Sequence, residues 1–176
     1  MERQPPAALV KTTRIIDTFS EWTGRGFAWL ILPLVAGLSY EVIARYLFDA
    51  PTIWAYDVGY MLYGGHFMLG AGYTLMKKGH IRTDFFYEKW SPRRQGTVDA
   101  FCYLFLFFPG LLFFLFASWD NAYHSFRIGE ASEASPWRPI LWPFKMAMPV
   151  AAVLLIIQGV SEFLKSVWAA RTGRWL

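Results

Sequence analysis

Residues 41–84 read EVIARYLFDAPTIWAYDVGYMLYGGHFMLGAGYTLMKKGHIRTD, and they place charged side chains inside segments that are otherwise apolar. The first part closes an apolar run that begins at Phe27, and after a short break at 49–51 a second run extends over 53–76. An apolar helix of about 20 residues spans the roughly 30 Å hydrocarbon core of a bilayer. This stretch therefore predicts two membrane-spanning helices joined by a tight turn.

Three charged residues near that turn are expected to pair. Glu41 and Arg45 lie four residues apart, so they share one face of the first helix. Asp57 lies at a similar depth on the second helix if the turn falls near 49–52. An ionised side chain at the membrane centre costs about 2.5 to 3.5 kcal/mol, which favours burial in pairs. The pattern predicts a structural ion cluster of Glu41, Arg45 and Asp57, with an ion or proton path as the alternative.

The composition is that of a membrane protein with a single domain, residues 1–176. Of the 176 residues, 55% are hydrophobic, 19% are aromatic and only 17% are charged. Globular soluble domains are on average about 25% charged. The lone Cys102 lies in an apolar run, so a disulfide framework and a cysteine metal site are both excluded.

The hydrophobic runs predict an all-α integral membrane protein with four transmembrane helices. These helices are expected at 27–47, 53–76, 97–119 and 143–168. Over 8–24, apolar residues recur near helical spacing between charged ones. That pattern predicts an amphipathic interfacial helix that lies along the membrane surface, after which the chain turns inward at 24–26.

Basic residues predict which side of the membrane each loop occupies. Four Lys and Arg residues precede the first helix, six lie between the second and third helices, and three lie at the C-terminal end. The turn after the first helix has none and the loop after the third has two. Cytoplasmic loops carry the excess of Lys and Arg, so both termini and the middle loop are expected in the cytoplasm. Such a run beside a membrane helix indicates topology rather than binding to nucleic acid.

The second helix carries small residues that allow close approach of neighbouring backbones. Gly59, Gly65 and Gly70 are among them, and membrane helices associate through such residues. The pattern predicts that this helix faces protein. His66, near its middle, is expected to be a packing histidine rather than a metal ligand, because no second ligand lies at its depth.

Several residues of 41–84 resemble the signature of the small membrane subunit, the DctQ type, of tripartite ATP-independent periplasmic (TRAP) transporters. They match it in order and at similar intervals: Glu41, Arg45, Tyr46, Phe48, Pro51, Trp54, Gly70, Gly79, His80 and Asp84. The family commonly has Glu where Asp57 stands, which keeps the charge, and often an aliphatic residue where Thr83 stands.

The resemblance implies a scaffold in the bacterial inner membrane rather than a transporter complete in itself. It implies a large permease subunit of the DctM type, a periplasmic substrate-binding protein and membrane lipids as partners. The function would be uptake of an organic anion by symport with an ion, typically sodium. Under this interpretation the permease interface is assigned to Trp54, Gly59, Gly65, His66 and Gly70. A family-motif loop is assigned to Gly79, His80 and Asp84.

The sequence gives no sign of an enzyme, a cofactor or a metal site. It has no glycine-rich phosphate loop, no zinc-ligand spacing and no nucleophile with a recognisable base. The alternative function is a four-helix subunit of a redox complex that binds haem or quinone. Haem held inside the bundle would need two histidines at matching depth, whereas His66, His80 and His124 are expected at three different depths.

Overall fold

The structure, a computed structural model, describes residues 4–80 and 87–176, and the regular secondary structure in those ranges is helical. The helices are α1 Ala7–Ala28, α2 Ile31–Leu47, α3 Ala55–Leu69, α4 Ala71–Met76, α5 Pro92–Cys102, α6 Phe108–Ile128, α7 Trp142–Lys145 and α8 Ala147–Thr172. A π-helical turn, Tyr103–Phe107, joins α5 to α6.

Three helical stretches in the described residues are long and apolar enough to cross a membrane: Ala7–Leu47, Pro92–Ile128 and Trp142–Thr172. The fourth helical segment consists of α3 and α4, which are separated only at Gly70. Helical hydrogen bonding continues through that residue, because Gly70 N donates to His66 O at 3.1 Å and Thr74 N donates to Gly70 O at 3.0 Å. The prediction of an all-α membrane protein with four helical segments is confirmed.

The break between the first two helices lies later than 24–26, where the sequence predicted that the chain turns inward. Helix α1 continues through 24–26 to Ala28, and only Trp29 and Leu30 interrupt the path into α2. Gly24 lies where α1 meets α4, and a Cβ built there would come 2.3 Å from the Cβ of Tyr73. This glycine therefore serves close helix packing rather than the end of a helix.

The third predicted span is longer than expected, and a π-helical turn interrupts it just before Pro109. Helices α5 and α6 with the π turn run without a break from Pro92 to Ile128. Pro109 has no N–H to donate to the carbonyl four residues earlier, which accounts for the wide turn just before it. The helix ends at Gly129, whose φ of 61° is the left-handed conformation common after a helix.

Helix α8 forms the centre of the molecule, and α1, α3, α4, α5, α6 and α7 all contact it. Small side chains make this possible: Ala152 and Ala169 are fully buried. At Gly96 of α5, a Cβ would lie 2.5 Å from the carbonyl oxygen of Ser166 and 2.6 Å from the amide nitrogen of Ala170. Close approach of backbones, which was predicted for the second helix, therefore also occurs around α8.

The bundle has two ends, defined by the loops and termini found there. The loop end contains the α2–α3 connection, 48–54, and the α6–α7 connection, 129–141, which Asp57 joins through hydrogen bonds to Ser132 and Ser135. At the terminal end, Arg93 Nε at the start of α5 donates to the carbonyl oxygen of Ala170, at 3.1 Å.

Candidate functional site

Glu41 holds the α2–α3 connection at the loop end. Arg45 Nε donates to Glu41 Oε1 at 2.8 Å, and the backbone N of Thr52 donates to Glu41 Oε2 at 2.9 Å. The Thr52 hydroxyl donates to the same oxygen and also accepts a hydrogen bond from Ala55 N at 3.3 Å, at the start of α3. The Glu41 side chain is 13% exposed, whereas that of Arg45 is 54% exposed. The Glu41 carboxylate therefore accepts hydrogen bonds from the Arg45 side chain, the Thr52 amide and the Thr52 hydroxyl, and the Arg45 guanidinium projects outward.

Asp57 does not join this pair, although the sequence predicted that it would. Its residue exposure is 1%, and its two carboxylate oxygens accept hydrogen bonds from the hydroxyls of Ser132, at 2.6 Å, and Ser135. Within residues 4–80 and 87–176, no ion pair joins Asp57 to Arg45. The distance in sequence explains the error, because Ser132 and Ser135 are more than 70 residues from Asp57 and reach it only through the folded loop.

The α6–α7 connection is held in a defined shape at the same end. Ser132 N donates to Pro139 O at 2.8 Å, and Leu141 N donates to Glu130 O at 2.9 Å. Lys145 Nζ lies 2.6 Å from Glu130 Oε2. The hydrogen bond from Lys145 holds the pKa of the Glu130 carboxyl below its usual range. The loop is therefore an ordered surface rather than a simple tether.

A second charged centre, which the sequence analysis did not assign, lies between α1 and α8 near the terminal end. Lys165 Nζ lies 2.8 Å from Asp17 Oδ2 and 2.7 Å from Glu162 Oε1. Gln158 Nε2 donates to Asp17 Oδ1 at 3.0 Å and to Glu162 Oε1 at 3.2 Å, and Ser161 Oγ donates to the same Asp17 oxygen at 2.8 Å. The two carboxylates thus share the ammonium group of Lys165 and the amide of Gln158, and Asp17 also accepts a hydrogen bond from Ser161.

The residues that α8 contributes to this centre form a pattern in the sequence. Gln158, Glu162 and Lys165 are spaced four and three residues apart, and Ser161 lies three residues after Gln158, so the four form one polar row on an otherwise apolar helix. Gln158 and Ser161 are fully buried, and Glu162 is 5% exposed. The sequence did not reveal which residue pairs with this row, and in the structure that residue is Asp17 of α1.

Of the glycines assigned to a permease interface, Gly59 makes a close contact with another helix of the subunit. A Cβ at Gly59 would come 3.2 Å from Leu38 of α2, and one at the neighbouring Gly64 would come 2.8 Å from the Phe144 ring. At Gly70 the nearest atom is the carbonyl oxygen of His66. Gly65 is buried, with no atom within 4 Å of a built Cβ. Gly59 therefore takes part in the packing of α3 on α2, and the assignment of Gly59, Gly65 and Gly70 to the permease interface stays a prediction.

The remaining predicted residues also make internal contacts. Trp54 stacks on Tyr40, with ring centroids 6.0 Å apart. His66 Nδ1 lies 3.2 Å from the Phe27 carbonyl oxygen. His66, Gly70, Gly79 and His80 together line one cavity of about 580 Å³ between α1 and the α3–α4 segment. Asp84, the other residue of the family-motif loop, lies outside the described residues.

The chemistry of these centres is that of structural pairing. Each carboxylate is opposed by a cation or by hydroxyl and amide donors, so none is free to act as a base. Among the described residues, no group of three or more His, Cys, Asp or Glu side chains is placed to hold a metal ion. The described contacts therefore indicate fixed helices and fixed loops.

One known protein family matches most of this chain. The model for "Tripartite ATP-independent periplasmic transporters, DctQ component" matches residues 34–168. The chain belongs to the DctQ family. The match runs from the first turn of α2 to the last turns of α8, so it covers Glu41, Arg45 and Asp57 of the loop end and all of the terminal centre except Asp17. The resemblance found in the sequence is confirmed, and the protein is a multi-pass membrane component of a transporter.

One curated relative is the "Sialic acid TRAP transporter permease protein SiaT" of Haemophilus influenzae (strain 86-028NP). The two are 24% identical over 150 residues, which is 84% of this chain but only 23% of the relative. The chain therefore spans less than a quarter of the length of the relative it matches.

Proposed function

We propose that the chain is a static scaffold for the large permease subunit of a TRAP transporter, in the bacterial inner membrane. The large subunit would carry out uptake of an organic anion, driven by an ion gradient, after a periplasmic binding protein delivers the substrate. The observation that carries the proposal is the match to the DctQ component over 34–168, which includes parts of every helix from α2 to α8.

The internal contacts support a static role. Helix α8 is fastened to α1 through Lys165 and Asp17, and to α5 through the close approach at Gly96. The two connections at the loop end are fixed by Glu41 and Asp57. A subunit whose two ends are fixed in this way is suited to act as a support against which another subunit moves.

The relative supports the identity of the partner. SiaT is named a permease, and more than three quarters of its length lies outside the match to this chain. We assign the corresponding partner of this chain to a separate large permease subunit. The name of the relative refers to sialic acid, and for this chain we propose only the wider class of organic anions.

The ordered loop end is the proposed periplasmic surface, where a binding protein would dock. The excess of basic residues at the other end supports this orientation. Cysteines at the exposed positions Ala50 and Glu133 should react with an impermeant thiol reagent in intact cells, and one at Ser91 should not. The native Cys102 is exposed and must be replaced first. The opposite labelling pattern would overturn the orientation.

Reconstitution tests the function itself. The chain, its large permease subunit and the binding protein would be combined in proteoliposomes and given a panel of organic anions with an imposed sodium gradient. Uptake is expected only when all three components are present. Transport by this chain alone would overturn the scaffold proposal, and so would full uptake by the large subunit and binding protein without it.

A further inference from the structure

One face of α3 exposes a row of aromatic side chains, most of which carry a hydroxyl group. Tyr56, Tyr60, Tyr63 and Phe67 recur every three or four residues and are 67%, 54%, 62% and 72% exposed. They therefore form a single stripe along the helix. We call Tyr56, Tyr60, Tyr63 and Phe67 the tyrosine face. It lies away from Ala55, Asp57 and Gly65, the buried side of the same helix.

The tyrosine face reaches too deep to be an interfacial belt. Tyr60 and Tyr63 lie five and eight residues after Ala55, where α3 begins, which corresponds to about 7.5 and 12 Å along the axis. The hydrocarbon core is about 30 Å thick, and membrane proteins concentrate their exposed tyrosines at its two surfaces. Tyr56 is at belt depth, whereas Tyr63 is close to the middle of the bilayer.

The hydroxyls on this face have no partner within the described chain. Tyr63 stacks on Phe67, with centroids 6.5 Å apart, and the ring of Tyr60 contacts Phe144 at 4.9 Å. These are ring contacts, and none of the side-chain hydrogen bonds in residues 4–80 and 87–176 involves the hydroxyl of Tyr56, Tyr60 or Tyr63. A hydroxyl in an apolar medium without a hydrogen bond is unfavourable by several kcal/mol on the water-to-cyclohexane scale.

The exposed surface around the π turn and the first half of α6 carries phenylalanine rather than tyrosine. All the exposed aromatic residues between 101 and 116 are phenylalanines: Phe101, Phe105, Phe113, Phe114 and Phe116. The one tyrosine in that stretch, Tyr103, is buried. Phenylalanine has no polar group to satisfy, so this surface is suited to lipid. The contrast shows that the exposed aromatic rings of this second surface carry no hydroxyls, unlike those of the tyrosine face.

We infer that the tyrosine face is the docking surface for a membrane helix of the large permease subunit, and that polar groups of that helix hydrogen-bond to Tyr60 and Tyr63. This inference rests on the proposed function and adds the surface through which it operates. The length of the relative supports this occupant, because there the region matching this chain belongs to a permease more than four times as long as the match. Hydrogen bonds between membrane helices supply the association that hydrophobic burial cannot supply in lipid.

The test is the removal of hydroxyls with the rings left in place. Tyr56→Phe, Tyr60→Phe and Tyr63→Phe would be made singly and together, and affinity for the tagged large subunit would be measured in a mild detergent by titration. Each of Tyr60→Phe and Tyr63→Phe should weaken binding about three-fold, equivalent to about 0.6 kcal/mol for a hydrogen bond between membrane helices. The melting temperature of the isolated chain should not change, because these hydroxyls have no internal partner.

Tyr123→Phe is the matched control. Tyr123 is 52% exposed and lies five residues before the end of α6, as Tyr60 lies five residues after the start of α3. It sits near the end of a 37-residue helical stretch about 55 Å long, which exceeds the hydrocarbon core. Its hydroxyl can therefore reach water, and its loss should leave affinity unchanged. Phe113→Leu should also have no effect.

The outcomes separate the inference from the function it rests on. If the wild-type chain binds the large subunit and the triple Tyr→Phe variant binds equally well, the tyrosine face is not the docking surface, while the scaffold proposal stands. If the isolated chain is a dimer that the triple variant breaks, the occupant is a second copy and the inference is overturned. If the wild-type chain does not bind the large subunit at all, the scaffold proposal fails, and the inference fails with it.

Discussion

The two ends of the bundle satisfy their buried carboxylates by different means. At the loop end, Asp57 is held by the hydroxyls of Ser132 and Ser135, and Glu41 is held by Thr52 together with the outward-facing Arg45. At the terminal end, Asp17 and Glu162 share the ammonium of Lys165 between two helices. Neutral donors keep a loop in place without bringing a second charge into the membrane, whereas the lysine joins whole helices. We therefore expect the terminal centre to matter most for stability and the loop end for local order.

Replacing Lys165 with Leu should have the largest effect. The change leaves Asp17 and Glu162 facing each other with no cation, and removal of one partner from a buried charge pair is destabilising by about 3 to 5 kcal/mol. Lys165 is 21% exposed, so the lower end of that range is expected. The measurement is the melting temperature of the purified chain in detergent.

Two further variants show whether the charge itself is responsible for the effect of Lys165→Leu. Lys165→Arg should retain most of the stability, because it keeps a cation between the two acids. Adding Glu162→Gln to Lys165→Leu should restore part of the loss, because one stranded charge is removed. A melting temperature for Lys165→Leu equal to that of the wild type would show that the terminal centre does not hold α1 to α8.

Replacing Asp57 with Ala should have the next largest effect. The change leaves the hydroxyls of Ser132 and Ser135 without their acceptor, in a site where Asp57 is 1% exposed. Loss of hydrogen bonds to a buried charged group is destabilising by about 2 to 4 kcal/mol in total. Proteolysis should become faster within 129–141 in particular, since the loop loses its anchor. Equal protease sensitivity in the wild type and the variant would contradict this account.

Replacing Arg45 with Ala should have a smaller effect than Asp57→Ala. The Arg45 side chain is 54% exposed, and without it Glu41 still accepts two hydrogen bonds from Thr52. Exposed ion pairs contribute little to stability. If Glu41, Arg45 and Asp57 instead formed the ion cluster predicted from the sequence, Arg45 would be the one cation that neutralises both acids. Measuring the melting temperatures of both variants side by side distinguishes the two arrangements, because a loss for Arg45→Ala larger than that for Asp57→Ala would favour the cluster.

The helices were predictable from the sequence because length and hydropathy determine them locally. The Glu41–Arg45 contact was accessible for the same reason, since the two residues are one turn apart. The partners of Asp57 and Asp17 were not, because Ser132 and Lys165 reach them only once distant helices have packed. The glycines of α3 were recognised as packing positions, but glycine spacing alone does not tell an internal contact such as that of Gly59 with Leu38 from one with a partner.

The smallest effect is expected at Glu130 of the loop end, whose contribution to the stability of the fold should depend on pH. Because the hydrogen bond from Lys145 lowers the pKa of this carboxyl in the folded chain, the pair stabilises the fold above the pKa of the unfolded state. That stability is lost as the pH falls through the lower pKa of the folded state. Glu130→Gln should therefore melt slightly below the wild type at neutral pH, and the difference should shrink as the pH falls from about 6 to about 3. Glu133→Gln, in the same loop and exposed, is the control and should show no such dependence. A difference for Glu130→Gln that stays constant with pH would mean that Lys145 stabilises the loop by packing rather than through its charge.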